Sequence, residues 1–116
     1  MRRFSTNSIG IDQGSAVLFQ DFQHNGVMWS GTGPRSIRYE ISFSEPFKSP
    51  PVVTVGVSMW DMDHSTNARA DLSAEHVSAK GFHIVFNTWG DTRVARVRAD
   101  WTAIGEVSDP DDWNLY

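Results

Sequence analysis

Cysteine is absent from the 116 residues, and that one absence removes thiol catalysis, disulfide staples and thiolate metal sites together. It fits a reducing compartment without excluding export, because a domain of this size can hold together without crosslinks. No apolar run reaches membrane-spanning length. Met1-Arg2-Arg3 has the charge of a signal-peptide start, but "FSTNSIGIDQG" follows with no apolar segment. Export is therefore expected only by a signal-independent route or by lysis. Positive charge is scarce too. A net charge of −4 gives the whole molecule no footprint for nucleic acid or for an anionic membrane. Helical periodicity with caps is missing throughout.

Catalytic and metal motifs are equally short. Serines and four histidines are present, but no G-x-S-x-G or comparable context orders them. "GTGPR" lacks the spacing and the lysine of a phosphate-binding loop. In "DMDHSTN" Asp61, Asp63 and Asn67 alternate like hard-metal ligands. Counted from Asp61, however, the sixth and twelfth places hold Thr66 and Leu72, where a calcium loop of the EF type needs glycine and glutamate. His64, His76 and His83 do not have the short pair spacing of zinc sites. Asp61 and Asp63 read as turn formers, since short carboxylates hydrogen-bond the nearby backbone. Neither an enzyme nor a bound cofactor is expected.

What is present is alternation. Ile37, Tyr39, Ile41 and Phe43 fall on one face of "RSIRYEISF", and Val53, Val55 and Val57 on one face of "PVVTVGVSM". The same period-two pattern sets Leu72 and Ala74, then Phe82, Ile84 and Phe86, then Val97, Ala99, Trp101 and Ala103 apart from polar neighbours. With a short strand at 9–13, six strands result, separated by Pro46, Pro50-Pro51, the polar 61–67 run, Gly81 and Gly90. The fold class is all-β, a six-stranded antiparallel β-sandwich over residues 1–105 with an acidic tail at 106–116. In that tail Pro110 breaks the last strand, and Trp113 and Tyr116 are candidates to dock on a neighbour. Residues 16–33 read as a long irregular connection, a kind of segment that is often functional.

One stretch, "NTWGDTRVARVRADW", reads as a hairpin whose second strand exposes Arg96 and Arg98 after Arg93. Arginine interleaved with Trp89 and Asn87 could stack on bases. Net acidity opposes that, and Asp71, Asp91 or Asp100 could neutralise the arginines. No nucleic acid is expected.

Pro50-Pro51-Val52-Val53, Asn67-x-Arg69, Gly81-Phe82, Thr88-Trp89 and Trp101-x-Ala103-Ile104 occur in this order over residues 9–105. In order and spacing they resemble the H-type lectin domain, the family of snail agglutinin and the discoidin C-terminal module. The resemblance implies a sandwich that assembles as a homotrimer, in some members a dimer of trimers. It implies binding of terminal N-acetylgalactosamine or galactose, with no metal in the site and sugar sites near subunit boundaries. Arg69 matches the family arginine that holds sugar hydroxyls, and its fork of donors suits adjacent oxygens. Trp89 matches the tryptophan beside the sugar, whose face covers apolar C–H groups.

Two positions depart from the family pattern. Gly90 stands where members carry a bulky polar side chain against the acetamido group, leaving that contact to backbone or to Asp91. Thr32 falls where a family aspartate takes sugar hydroxyls, and a threonine does so without a carboxylate's charge. Arg35 and Asp91 are the nearest candidates to compensate. Two functions stay open at this point. One is a multivalent lectin that performs no chemistry. The other is a structural or interaction module that keeps the trimeric sandwich without the sugar.

Overall fold

The computed structural model describes residues 1–5 and 8–109, so the readings at Pro110, Trp113 and Tyr116 lie outside the described residues. Strands β1 (Ile9–Gln20), β6 (Val94–Glu106) and β3 (Val52–Met62) form one sheet in the order β1–β6–β3. Strands β2 (Arg35–Ser42), β5 (Gly81–Thr88) and β4 (Asp71–Glu75) form the other, in the order β2–β5–β4. Every pairing is antiparallel. The all-β, six-stranded sandwich expected from the alternation is the fold.

The core lies between the two central strands. Phe82, Ile84 and Phe86 point inward from β5, and Val97, Ala99, Trp101 and Ala103 point inward from β6, all buried. Bulky residues on one strand meet small ones on the other, which lets two sheets approach to interior packing density. Trp101 closes one end, with its ring centroid 5.5 Å from Phe82 and 5.9 Å from Phe43. Each such aromatic, fully buried, stabilises the fold by about 1.5–3 kcal/mol.

The first strand is longer than the sequence suggested, running to Gln20 rather than stopping at 13. A register shift between Val17 and Phe19 turns both Leu18 and Phe19 inward. This bulge breaks the period-two signal just where the strand continues. Gly14 hid it further, since glycine is a poor strand residue. The Trp101 indole covers that glycine so closely that an added Cβ would stand 2.8 Å from Nε1. Two one-turn helices then follow, α1 (Asp21–His24) and α2 (Val27–Ser30). Neither is long enough to show a helical period. Among the described residues no helix is long and apolar enough to cross a membrane.

A second correction bears on the site. Strands β5 and β6 do not form a hairpin, because they lie in opposite sheets. Residues 89–93 cross from one sheet to the other, and Val94 and Ala95 are both buried on arrival. Alternation reports which residues face the core, and two strands that face each other across a sandwich alternate as well as two that pair.

Candidate functional site

Trp89, Gly90 and Asp91 stand on this crossover, and residues 67–70 run beside it just before β4. Buried threonine hydroxyls at either end of the crossover hold the two segments together. Thr88 Oγ1 donates to the Arg69 carbonyl at 2.6 Å, and the Arg69 amide donates to Thr92 Oγ1 at 3.1 Å. The Thr92 hydroxyl donates in turn to the Asn67 carbonyl. Segment 67–70 belongs to no strand, so these bonds replace a sheet ladder for its backbone groups. Thr92 was not singled out from the sequence, and Thr88 entered only as part of the Thr88-Trp89 motif, with no role of its own. Thr88 does continue the inward phase of Phe82, Ile84 and Phe86, and a hydroxyl at an inward position is the available signal.

With its backbone fixed, Arg69 donates from Nη1 to Asp91 Oδ1 at 2.8 Å. The Asn67 side-chain amide donates to the same carboxylate oxygen at 3.2 Å. Hydrogen bonds from Asn67, ahead of the one from Arg69, hold the Asp91 carboxyl below the ordinary aspartate range against a smaller opposing effect of burial. The side chains of Arg69 and Asp91 remain 38% and 53% exposed. A cationic fork and a carboxylate thus stand side by side at the surface. Together they offer donors and acceptors to a ligand with adjacent hydroxyls.

Gly90 sits between them with φ +70°, a left-handed conformation that side chains seldom adopt. A Cβ there would lie 3.2 Å from Arg69 Nη1. The glycine therefore both shapes the turn and leaves the guanidinium room to reach Asp91.

The loop before β2 arrives from the other side. The Gly33 amide donates to the Gly90 carbonyl at 2.8 Å, which places the neighbouring Thr32, itself exposed, at the rim. Arg35 is only 6% exposed. It donates to the carbonyls of Gly33 at 2.9 Å, Met28 at 3.1 Å and Gly90 at 3.2 Å. It is therefore a clamp on the loop and the crossover, and its buried donors are turned to backbone carbonyls instead of to an incoming hydroxyl. Of the two candidates to compensate for Thr32, only Asp91 stands at the surface beside Arg69.

Trp89 is 43% exposed, and a hollow of about 230 Å³ beside it is lined by Pro34, Ser36, Asn87 and Thr88 among others. Arg69 does not line that hollow. Its neighbours are Asp91 and Gly90. The site residues thus group as Arg69–Gly90–Asp91, with Trp89 next in chain and Thr32 one residue from the Gly33–Gly90 bond.

The three arginines that follow have partners other than Asp71 and Asp91. The Arg93 guanidinium carbon lies 4.2 Å over the Trp29 ring, its Nε donates to the Trp29 carbonyl, and Nη1 reaches Asp63 at 3.2 Å. Arg96 Nε lies 3.3 Å from Asp61, which belongs to β3 and not to a turn. Arg98 donates to Ser58 at 3.0 Å. Asp100 is held below the ordinary range by hydrogen bonds from Ser15 and Ser58 and, after them, by Arg98. Asp63 is the turn former expected, accepting from the Ser65 amide at 2.9 Å. Those Ser65 bonds, then Arg93, lower its carboxyl as well.

The model of the H-type lectin domain matches residues 38–104, more than half of the chain. A Fuscovulum blasticum protein described as ATP synthase subunits region ORF 7 is 59% identical over 108 residues, 93% of this chain and 94% of that protein. Discoidin-2 of Dictyostelium discoideum is 35% identical over 77 residues, 65% of this chain but 30% of discoidin-2. The native structure of recombinant discoidin II from the same organism superposes with a TM-score of 0.75 at 25% identity, covering 94% of this chain and 41% of that one. The chain thus spans less than half the length of the discoidins it matches. It belongs to the H-type lectin domain family.

Proposed function

We propose that this protein is a multivalent lectin for terminal N-acetylgalactosamine or galactose-type sugars, binding them without chemistry and without a cofactor. The observation that carries the reading is the exposed Arg69–Asp91 pair, 2.8 Å apart, on a segment pinned by buried threonines beside an exposed tryptophan. Arg69 supplies donors to one hydroxyl pair. Asp91 supplies the charged acceptor that Thr32 lacks. Trp89 offers a face to the apolar patch that an axial hydroxyl leaves on galactose-type rings.

A single such site is weak, because hydroxyls exchange water for protein with little net gain. Copies on one assembly would raise apparent affinity by about a hundredfold or more. A homotrimer, or a dimer of trimers, is the assembly proposed, built on the outer face of β1–β6–β3. Ile11, Ile104 and Val52 align there across three strands by register and are all exposed. The opposite outer face is polar. Apolar side chains laid in a row gain by burial against copies of themselves.

Glycan-array binding by the purified protein tests the reading. Signals confined to glycans ending in N-acetylgalactosamine or galactose are expected. Binding to no glycan would leave the structural-module reading in its place.

A further inference from the structure

Two side chains of one short segment hold the Asp91 carboxylate, and they hold it differently. Arg69 donates from Nη1 to Oδ1 at 2.8 Å. Asn67 spans both oxygens. Its Nδ2 lies 3.2 Å from Oδ1 and 3.4 Å from Oδ2, and its backbone amide donates to Oδ2 at 3.5 Å. The last torsion of an aspartate is broad, so a single bond to Oδ1 leaves the other oxygen free to swing. Donors to both oxygens fix the plane.

The other cations nearby are turned elsewhere. Arg35 donates to the carbonyl of Gly90 and not to Asp91. Arg93 lies over Trp29 and reaches Asp63. Among the described residues, Arg69 is the one charged group bonded to Asp91, and at the surface its attraction is screened by water. This is why the bonds from Asn67 stand ahead of Arg69 in keeping the carboxyl ionised. Asn67 is itself exposed, so its side chain fills no core space. Its carbonyl takes the Thr92 hydroxyl, a backbone bond that a side-chain substitution leaves in place.

We infer that Asn67 is a positioning residue of the sugar site, orienting the Asp91 carboxylate so that Oδ2 keeps room for a sugar hydroxyl while Oδ1 is taken by Arg69. A carboxylate oxygen accepts more than one bond, so the long contacts from Asn67 leave Oδ2 able to accept a short one. The inference rests on the lectin reading for its ligand. The effect of Asn67 on the carboxylate stands without a ligand.

Two measurements test it on the parent, Asn67→Ala, Asn67→Asp and Arg69→Ala. One is NMR titration of the Asp91 carboxyl carbon with no sugar present. The other is calorimetry with N-acetylgalactosamine from neutral to acid pH. Asn67→Ala should raise the carboxyl titration towards the ordinary aspartate range by more than Arg69→Ala does, and Asn67→Asp, which sets a like charge beside it, should raise it further. At neutral pH Asn67→Ala should bind the sugar about two- to tenfold more weakly, the effect of one hydrogen bond. Its loss of binding in acid should begin at higher pH than the parent's, because a carboxyl that takes its proton earlier stops accepting earlier. An Asp91 titration unmoved by both Asn67 substitutions, or moved more by Arg69→Ala, would overturn the inference. So would a shifted titration with sugar binding unchanged at every pH. A shifted titration in a parent that binds no sugar would sink the lectin reading and keep the Asn67–Asp91 arrangement.

Discussion

Thr92 accepts from the Arg69 amide and donates to the Asn67 carbonyl, so one buried hydroxyl fixes the backbone on both sides of Ala68. The Arg69 side chain is aimed by that bond as much as by its pairing with Asp91. Thr92→Val keeps shape but leaves the partly buried Arg69 amide and Asn67 carbonyl without this partner. A loss of about 1–3 kcal/mol is expected, read as a lowered unfolding midpoint in urea with unchanged slope. Sugar affinity should fall with it. A variant as stable as the parent would mean that segment 67–70 is held by other means.

Gly90 makes a more particular demand. At φ +70° a β-branched residue is strained by about 1–2 kcal/mol, whereas asparagine is tolerated. Gly90→Val should destabilise, and Gly90→Asn should do so less, its Cβ standing 3.2 Å from the Arg69 guanidinium. With no side chain at 90 to meet an acetamido group, the parent should separate N-acetylgalactosamine from galactose only weakly. Gly90→Asn should alter that ratio. Calorimetry with both sugars on the two proteins measures it, and strong discrimination by the parent would show that another group reads the acetamide.

The pH dependence follows from Asp91, Asp63 and Asp100, whose folded carboxyls all titrate below the ordinary aspartate range. A lowered folded value means that the unfolded chain takes up protons first on acidification. Their contribution is complete above the ordinary aspartate value and is lost as pH falls through the lowered ones. Stability and sugar binding should therefore stay level from neutral pH down to about 5, then decline together on further acidification. Binding that falls between pH 7 and 6 would point to a histidine at the site instead.

Self-association is expected to depend on the row Ile11–Ile104–Val52 more than on arginines. Arg96 and Arg98 already have partners within the chain, at Asp61 and Ser58. Ile104→Glu places a charge in the proposed contact, where an unpaired buried charge typically costs about 3–5 kcal/mol. Light scattering should show a trimer for the parent and a smaller species for the variant, with the fold retained. A monomeric parent at micromolar concentration would remove the proposed multivalency.

Much of the sandwich was legible because core facing and period two are the same fact in a strand. Phe82 to Phe86 and Val97 to Ala103 show it without interruption, and both are buried as read. Legibility failed where the backbone left the pattern. The bulge at Val17–Phe19 erased alternation, so the second half of β1 read as loop. The crossover at 89–93 read as a hairpin because alternation does not say which sheet a strand joins. Arg69 and Trp89 came from local motif, Gly90 as a departure from it and Asp91 as a candidate to compensate, and Arg69, Gly90 and Asp91 fall in one neighbourhood. Arg35 was read as a candidate to compensate for Thr32, although its position at the start of β2 buries it among the carbonyls of Gly33, Met28 and Gly90. Such partners are brought together only by the tertiary fold. Pairings such as Arg93 with Asp63 and Trp29, distant in sequence, were out of reach for the same reason.

Titration of N-acetylgalactosamine into the parent and into Arg69→Ala tests the proposed sugar site most directly. The parent should bind at up to millimolar concentration. Arg69→Ala should lose about 1.5–3 kcal/mol of affinity, roughly ten- to hundredfold and so beyond detection, while its unfolding midpoint and oligomeric state stay close to the parent's. Undiminished binding by Arg69→Ala would contradict the assignment of the site to the Arg69–Asp91 pair.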